Sequence, residues 1–238
     1  ALRLLVPGLG LAMKSIAVMR ISHTLVETYL GRDAGQRVLS GRIKRGVADR
    51  IGAALWFSDL RDFTRIAEKA SAEQLVPFLN DYAEAIITAI DGAGGDVLKL
   101  VGDGILAIFT QEEAAARGSA AIAAAREARR RVAELSRRRA AEDLPVTGFY
   151  LGLHVGEVFY GNIGSAARLD FTVVGPAVNE TSRIAALCRS LDQPVLASSA
   201  FFDQAGAGRR ELVSVGRYAL RGVRQPQELF TFEPGAID

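Results

Sequence analysis

The chain has 238 residues, 49% hydrophobic and 24% charged, and its 29 Lys plus Arg nearly balance 27 Asp plus Glu. A net charge of +2 leaves no electrostatic footprint for nucleic acid, and the single cysteine, Cys188, excludes an intrachain disulfide and a cysteine-based zinc cage. It fits a reducing, cytoplasmic setting and reads as a buried helix residue, in a chain of a length expected for one large domain or one domain with an appendage.

Residues 1–19 are apolar but interrupted by Arg3, Pro7, Gly8, Gly10 and Lys14. No run approaches the roughly 18–20 apolar residues of a membrane span, so none is expected here. The segment reads as the end of an upstream regulatory region, which could itself be membrane-bound. Residues 15–30 are expected to be helical, and residues 31–49 form a basic connector with four glycines. The division is therefore a helical and linker segment, 1–49, followed by a globular domain, 50–238.

Residues 51–57 (IGAALWF) form a continuous apolar run, the signature of a buried strand. They lead through Ser58-Asp59-Leu60-Arg61-Asp62 into a helix, for which Asp59 alone could serve as N-cap. Ser71 and Gln74 have capping-box spacing, and Leu75, Leu79, Tyr82, Ile86 and Ile90 line one face of the helix that follows. Residues 96–101 and 105–109 are apolar strands joined at Gly102-Asp103-Gly104, a strong hairpin signal. Lys99 lies within the first of them, where an unpaired ammonium is costly.

Residues 113–142 predict a long helix with Ile122, Ala125, Val132 and Leu135 inward. Arg126, Arg129–Arg131 and Arg137–Arg139 lie on its outer, solvated face, with Glu127–Arg131 and Glu134–Arg138 at i,i+4. Residues 147–163 alternate and are expected to turn at Gly156-Glu157 as a second hairpin. His154 sits there opposite Leu151, Leu153 and Val155 as a structural residue. A short strand, 170–174, precedes Gly175-Pro176, which opens a helix placing Asn179 and Arg183 on one face. Residues 194–197, 211–218 and 229–232 read as closing strands. Strands and helices alternate with hairpins between them, which indicates an α+β fold.

Asp59 and Asp103 stand at the ends of strands expected to be neighbours, where two carboxylates can hold hard divalent cations. Four blocks in order carry a wider resemblance: FSDLRDFT (57–64), KLVGDG (99–104), GLHVGEVFYGNIG (152–164) and FTVVGPAVNETSRI (171–184). Together they resemble the class III nucleotide cyclase catalytic domain over residues 50–232, nearest to the bacterial adenylate cyclase branch. The resemblance implies a ferredoxin-like βαββαβ core with additional strands and helices, working as a homodimer with active sites at the subunit interface.

It also implies roles. Asp59, Asp103 and the Leu60 carbonyl match the ligands of two Mg²⁺ ions, for which Mn²⁺ is expected to substitute. Phe63 and Thr64 match positions whose backbone N–H groups cradle the triphosphate, and Arg221 a basic residue at the terminal phosphates. Lys99 and Thr172 match the base-reading pair, while Asn179 and Arg183 match the ribose-orienting and transition-state residues. One subunit is implied to supply the aspartates and its partner Lys99, Thr172, Asn179 and Arg183. Two positions depart from the family: Asp62 stands where Gly is frequent and Pro176 where Asp is.

The expected reaction converts ATP to 3′,5′-cyclic AMP and pyrophosphate, with no dedicated general base, in signal transduction. Base choice follows from polarity. Adenine offers an acceptor at N1 and a donor at its amino group, which Lys99 and the Thr172 hydroxyl complement. Guanine presents the opposite polarity, so Lys99 argues against a guanylate cyclase. A diguanylate cyclase is disfavoured because Gly94-Gly95-Asp96 leads into VLKLVGDG. A non-catalytic nucleotide-binding dimerisation domain would lack a metal Asp or the Asn/Arg pair, and all four residues are present.

Overall fold

The computed structural model describes residues 2–223 and 225–233; residue 1 and the last five residues of the expected 50–238 domain lie outside them. The chain forms two compact units, one of residues 1–47 and 161–172, the other of residues 48–160 and 173–238.

In the first unit, α1 (Leu2–Leu30) is one unbroken helix, followed directly by α2 (Arg32–Leu39). Both findings revise the sequence reading. The interrupting glycines cost helix propensity of about 1 kcal/mol each without ending α1, and the expected connector contains a helix. The close seating of Gly35 explains α2: a Cβ there would lie 3.1 Å from the Glu27 Cα. Leu9–Leu30, 22 residues of mean hydropathy 1.2, is also long and apolar enough by length and composition to cross a membrane. At about 1.5 Å per residue it reaches the roughly 30 Å of a hydrocarbon core. The expectation that no run of that length exists is corrected accordingly. Leu9, Leu11, Met13, Ile16 and Met19 are all exposed along it.

The second unit is built on a sheet in the order β2-β3-β1-β4-β6-β8-β7, with β5 paired to β4. Its strands are β1 (Ala48–Leu60), β2 (Asp96–Val101), β3 (Gly104–Phe109), β4 (Phe149–Gly164), β5 (Leu169–Val174), β6 (Val195–Ser198), β7 (Leu212–Tyr218) and β8 (Gln227–Phe232). Both β4 and β5 extend into the residues counted with the first unit. Between β1 and β2 lie the short α3 (Phe63–Ala67) and α4 (Ala72–Gly92); α5 (Ala114–Ala141) joins β3 to β4. The order 2-3-1-4 with these two helical crossings is the ferredoxin-like βαββαβ core. Helix α6 (Pro176–Ser190), α7 (Ser199–Gln204), a 3-10 turn (Gly206–Glu211) and the later strands extend it. The residues after Ser198 that form α7 and the 3-10 turn carry too short a periodicity to stand out in the sequence.

The core lies mainly under α4 and α5, where Trp56, Phe78, Tyr82, Ile86, Ile90, Phe109, Ile122 and Phe149 are buried. A smaller cluster, Ile184, Cys188, Leu196, Leu220 and Leu229, lies under α6. Cys188 is buried as expected, and desolvation pushes its thiol up to about 12, so it is inert.

Two further expectations change. β4 is a single 16-residue strand and does not turn at Gly156-Glu157. The chain reverses at 165–168 instead, where the Ser165 N–H donates to the Arg168 carbonyl at 2.8 Å. On α5, Arg139 does not belong to the solvated face. It is 4% exposed, 2.5 Å from Asp81 of α4, donates to the Pro145 carbonyl at 2.9 Å and packs over the Phe78 ring. Of the expected pairs Glu127–Arg131 forms at 2.6 Å, while Glu134 is met by Arg130 at 3.2 Å.

Removing one partner of such a pair leaves a desolvated charge behind, at about 3–5 kcal/mol in a fully buried setting. Asp81 is partly exposed, so Arg139→Ala is expected to lower stability by about 2–3 kcal/mol in urea unfolding. Arg139→Met, which keeps the packing on Phe78, should recover part of that loss. A change below about 0.5 kcal/mol, the size typical of a surface substitution, would show that Arg139 is solvated after all.

Candidate active site

Asp59 and Asp103 meet where β1 ends. In the β1–β3 register Ser58 opposes Ile105, which brings the end of β1 level with the β2–β3 turn. Gly102 makes that turn at φ 65°, in the left-handed region that glycine enters without steric cost. Asp103 follows it, half-buried, and its Oδ2 accepts the Leu60 N–H at 3.1 Å. β1 runs on to Leu60, so Asp59 is a strand residue, exposed between buried Ser58 and Leu60. The N-cap of α3 is Asp62, which excludes that role for Asp59.

Partial burial, a hydrogen bond to Asp103 and the Asp103 charge push the Asp59 carboxyl from 3.8 up to about 7, against the opposing influence of Arg189 and the Leu60 N–H. Two carboxylates this close repel when both are ionised, and a divalent cation relieves that repulsion. The donors are all oxygen, which suits a hard cation such as Mg²⁺ or Mn²⁺. Among the described residues no group of three or more His, Cys, Asp or Glu side chains forms a metal cage. The fit therefore rests on two carboxylates together with a backbone carbonyl such as that of Leu60.

A cavity of about 300 Å³ opens beside the pair, lined by Asp59, Leu60, Asp103, Phe63 and Thr64 together with Tyr150 and Arg189. Asp62 has φ 51°, which accounts for a frequent glycine at this position in the resembling family. Its carboxylate points outward and pairs with Arg189 at 3.1 Å, both side chains being largely exposed. Arg61 stacks on the Tyr150 ring at 4.7 Å. Arg189 and Tyr150 were not singled out in the sequence. Nothing near Asp62 in sequence singles out Arg189, since Arg61 and Arg65 both lie within local reach of the acid.

The other expected residues do not line this cavity. Lys99 is half-buried on β2, just after a bulge that shifts the β2–β3 register between Val97 and Lys99. Asn179 is exposed on α6 and Arg183 half-buried one turn later. A Cβ on Gly222 would lie 3.4 Å from an Arg183 guanidinium nitrogen, so Arg183 lies against the turn that carries exposed Arg221. Thr172, on β5, is 6% exposed and its hydroxyl has no hydrogen-bond partner. One chain thus gathers Asp59, Leu60, Phe63, Thr64 and Asp103 around one cavity, to which α6 adds Ser182 and Arg189 but not Asn179 or Arg183, while Arg183 lies against the Gly222 turn.

Over 210 residues the chain is 32% identical to an uncharacterized protein of Mycobacterium tuberculosis, covering 86% of this chain and 36% of that protein. It is 34% identical over 147 residues to an adenylate cyclase of Anabaena cylindrica, covering 62% of this chain and 29% of that protein. The chain thus spans about a third of the length of these relatives. Among solved structures it is similar to a bacterial light-regulated adenylyl cyclase, with TM-score 0.80 and 25% identity over 92% of this chain and 62% of that one. It is also similar to the guanylyl cyclase Cya2, with TM-score 0.69 and 28% identity over 80% of this chain and 98% of that one. The adenylate and guanylate cyclase catalytic domain family matches residues 48–233, and the chain belongs to that family.

Proposed function

We propose that this chain is an adenylate cyclase, converting ATP to 3′,5′-cyclic AMP and pyrophosphate in signal transduction, as a homodimer whose active sites are shared between subunits. The observation that carries the cyclase chemistry is the Asp59–Asp103 pair at the mouth of its cavity. Sharing between subunits is supported by the separation of residues within one chain, since Asn179 and Arg183 do not line that cavity.

Asp59, Asp103 and the Leu60 carbonyl would hold two Mg²⁺ ions, with Mn²⁺ able to substitute. When bound, such ions acidify the ribose 3′-hydroxyl and neutralise phosphate charge. The chain's own residues do the rest. Phe63 and Thr64 present backbone N–H groups to the triphosphate, and Arg221 meets its terminal phosphates. Asn179 orients the ribose so that its 3′-oxygen lies in line with the α-phosphorus. As the new P–O bond forms and the bond to the β-phosphate breaks, Arg183 meets the charge that develops on the α-phosphate.

Lys99 carries the choice of base. It donates to adenine N1, and the Thr172 hydroxyl, buried with no partner in the chain, accepts from the amino group. Guanine would face Lys99 with its N1 donor, and each mispaired polar group costs about 1–3 kcal/mol. The chain's own membership does not choose between the nucleotides, as adenylyl and guanylyl cyclases both resemble it. The setting proposed is cytoplasmic, with residues 1–49 linking the 50–238 catalytic domain to an upstream input.

The deciding experiment is kcat/KM for ATP and GTP, in Mg²⁺ and in Mn²⁺, for wild type and Lys99→Glu. Wild type is expected to prefer ATP, and the variant to lose that preference by roughly 10- to 100-fold, the worth of one or two mispaired groups. Equal preference in the two proteins would remove Lys99 from base recognition.

The metal assignment has a readout without turnover. Because the folded state raises the Asp59 pKa from 3.8 to about 7, it holds that proton more tightly than the unfolded chain. Ionising Asp59 as pH rises across that window therefore lowers stability. Metal-free wild type should gain less stability between pH 5 and 8 than Asp59→Asn, which should be the more stable of the two at pH 8. Mn²⁺ should raise the wild-type Tm at pH 8 and leave that of Asp59→Asn nearly unchanged. An equal Mn²⁺ shift in both proteins would place the metal elsewhere.

A further inference from the structure

The segment Gly152-Leu153-His154-Val155-Gly156 lies within β4, so its first, third and fifth residues share one face of the sheet. That face is covered by α6. A Cβ on Gly152 would come 2.6 Å from the Ala185 nitrogen and the Thr181 carbonyl oxygen, and one on Gly156 2.6 Å from the Ala177 Cβ. Ala177, Thr181 and Ala185 are spaced by four, so one stripe of the helix rests on the two glycines. Between these seats stands His154, only 6% exposed.

Its contacts favour one tautomer. Nδ1 is 2.7 Å from the Ser198 Oγ, which already accepts the Phe201 N–H at 3.1 Å as the N-cap of α7. The Ser198 proton is therefore free to go to Nδ1, which leaves the ring proton on Nε2. Nε2 faces the Glu180 carboxylate of α6 at 3.7 Å, and Glu180 also accepts from Gln227 Nε2 of β8 at 2.9 Å. Burial lowers the imidazole pKa against the raising influence of Glu180. The adjoining cavity, about 380 Å³, adds Arg50 of β1 and Glu157 of β4, which pair with one another.

Glu180 follows Asn179 directly and precedes Arg183 by less than one turn. A glycine seat sets how close a helix lies but leaves it free to roll or slide. We infer that His154, bonded to Ser198 and standing between the two glycine seats with Nε2 turned to the Glu180 carboxylate, is a positioning residue that fixes the rotation and axial setting of α6 and so aims Asn179 and Arg183 at the nucleotide. For its catalytic part this rests on the cyclase reading above. Loss of the anchor acts on turnover more than on substrate affinity, because Arg183 matters most once charge develops.

The test compares His154→Leu, which fills the site but cannot bond, with His154→Gln, whose amide can accept from Ser198 and donate towards Glu180. Amide exchange is measured across the chain, together with kcat and KM. In His154→Leu, exchange of the α6 amides from Asn179 to Arg183 should rise by roughly tenfold or more while β1, β3, α4 and α5 keep their protection. Turnover should fall by about 10- to 100-fold with KM within about twofold, the pattern of a lost transition-state contact. His154→Gln should recover much of both. Unchanged exchange in α6, an equal rise throughout the core, or full turnover with a loosened α6 would each overturn the assignment. Exchange is read without any nucleotide, so a wild-type chain that cyclised neither ATP nor GTP would refute the proposed activity while the seating of α6 was still decided.

Discussion

Asp59 and Asp103 sit close enough to share a proton, and the rest of the catalytic unit is arranged to hold them so. β1 is buried from Ala53 to Trp56 and again at Ser58 and Leu60, which fixes Asp59 on the opposite face of the pleat. Its pairing with β3 and the glycine-made turn bring Asp103 alongside, and the Leu60 N–H anchors that carboxylate. The mutual repulsion is a cost in the folded chain that a bound divalent cation would relieve. Stability and function therefore oppose one another at this point.

The second constraint is the seating of α6. Beneath it β4 offers two glycines and one histidine, and above it the helix presents small residues. This makes an uninterrupted β4 necessary: a turn at Gly156 would remove half of the platform. The same helix carries Asn179 and Arg183 near its first turns and Arg189 at its end, where Arg189 reaches the metal-side cavity and Asp62. One helix thus lines both the cavity beside Asp59 and, through Pro176, Ala177 and Glu180, the cavity beside His154.

Much of this was legible in the sequence, for identifiable reasons. The β2–β3 hairpin declares itself through Asp-Gly between apolar runs, and α4 and α6 through their spacing and their Ser71 and Pro176 starts. Asp59, Asp103, Asn179 and Arg183 were picked out by their strand-end and i,i+4 placement and by the family resemblance. Gly156 misled because glycine beside an acid looks the same whether it makes a turn or a helix seat. Arg139 misled because its six arginine neighbours on α5 suggested one solvated face, and only tertiary structure supplies Asp81 and Phe78. Helix α2 was hidden by Gly35, whose role is contact with α1 and not flexibility. Arg189 was invisible because its partner Asp62 lies 127 residues away.

The central claim is that each active site needs residues from two copies of the chain. Its most direct test mixes Asp59→Ala with Arg183→Ala protein, each inactive alone, after subunit exchange has been verified. In the mixed dimer one site combines both lesions and the other has neither. Equal mixing should then restore about one quarter of wild-type activity, since about half of the dimers are mixed and each has one intact site. No recovery despite complete exchange would mean that a single chain builds the whole site, and would contradict the account.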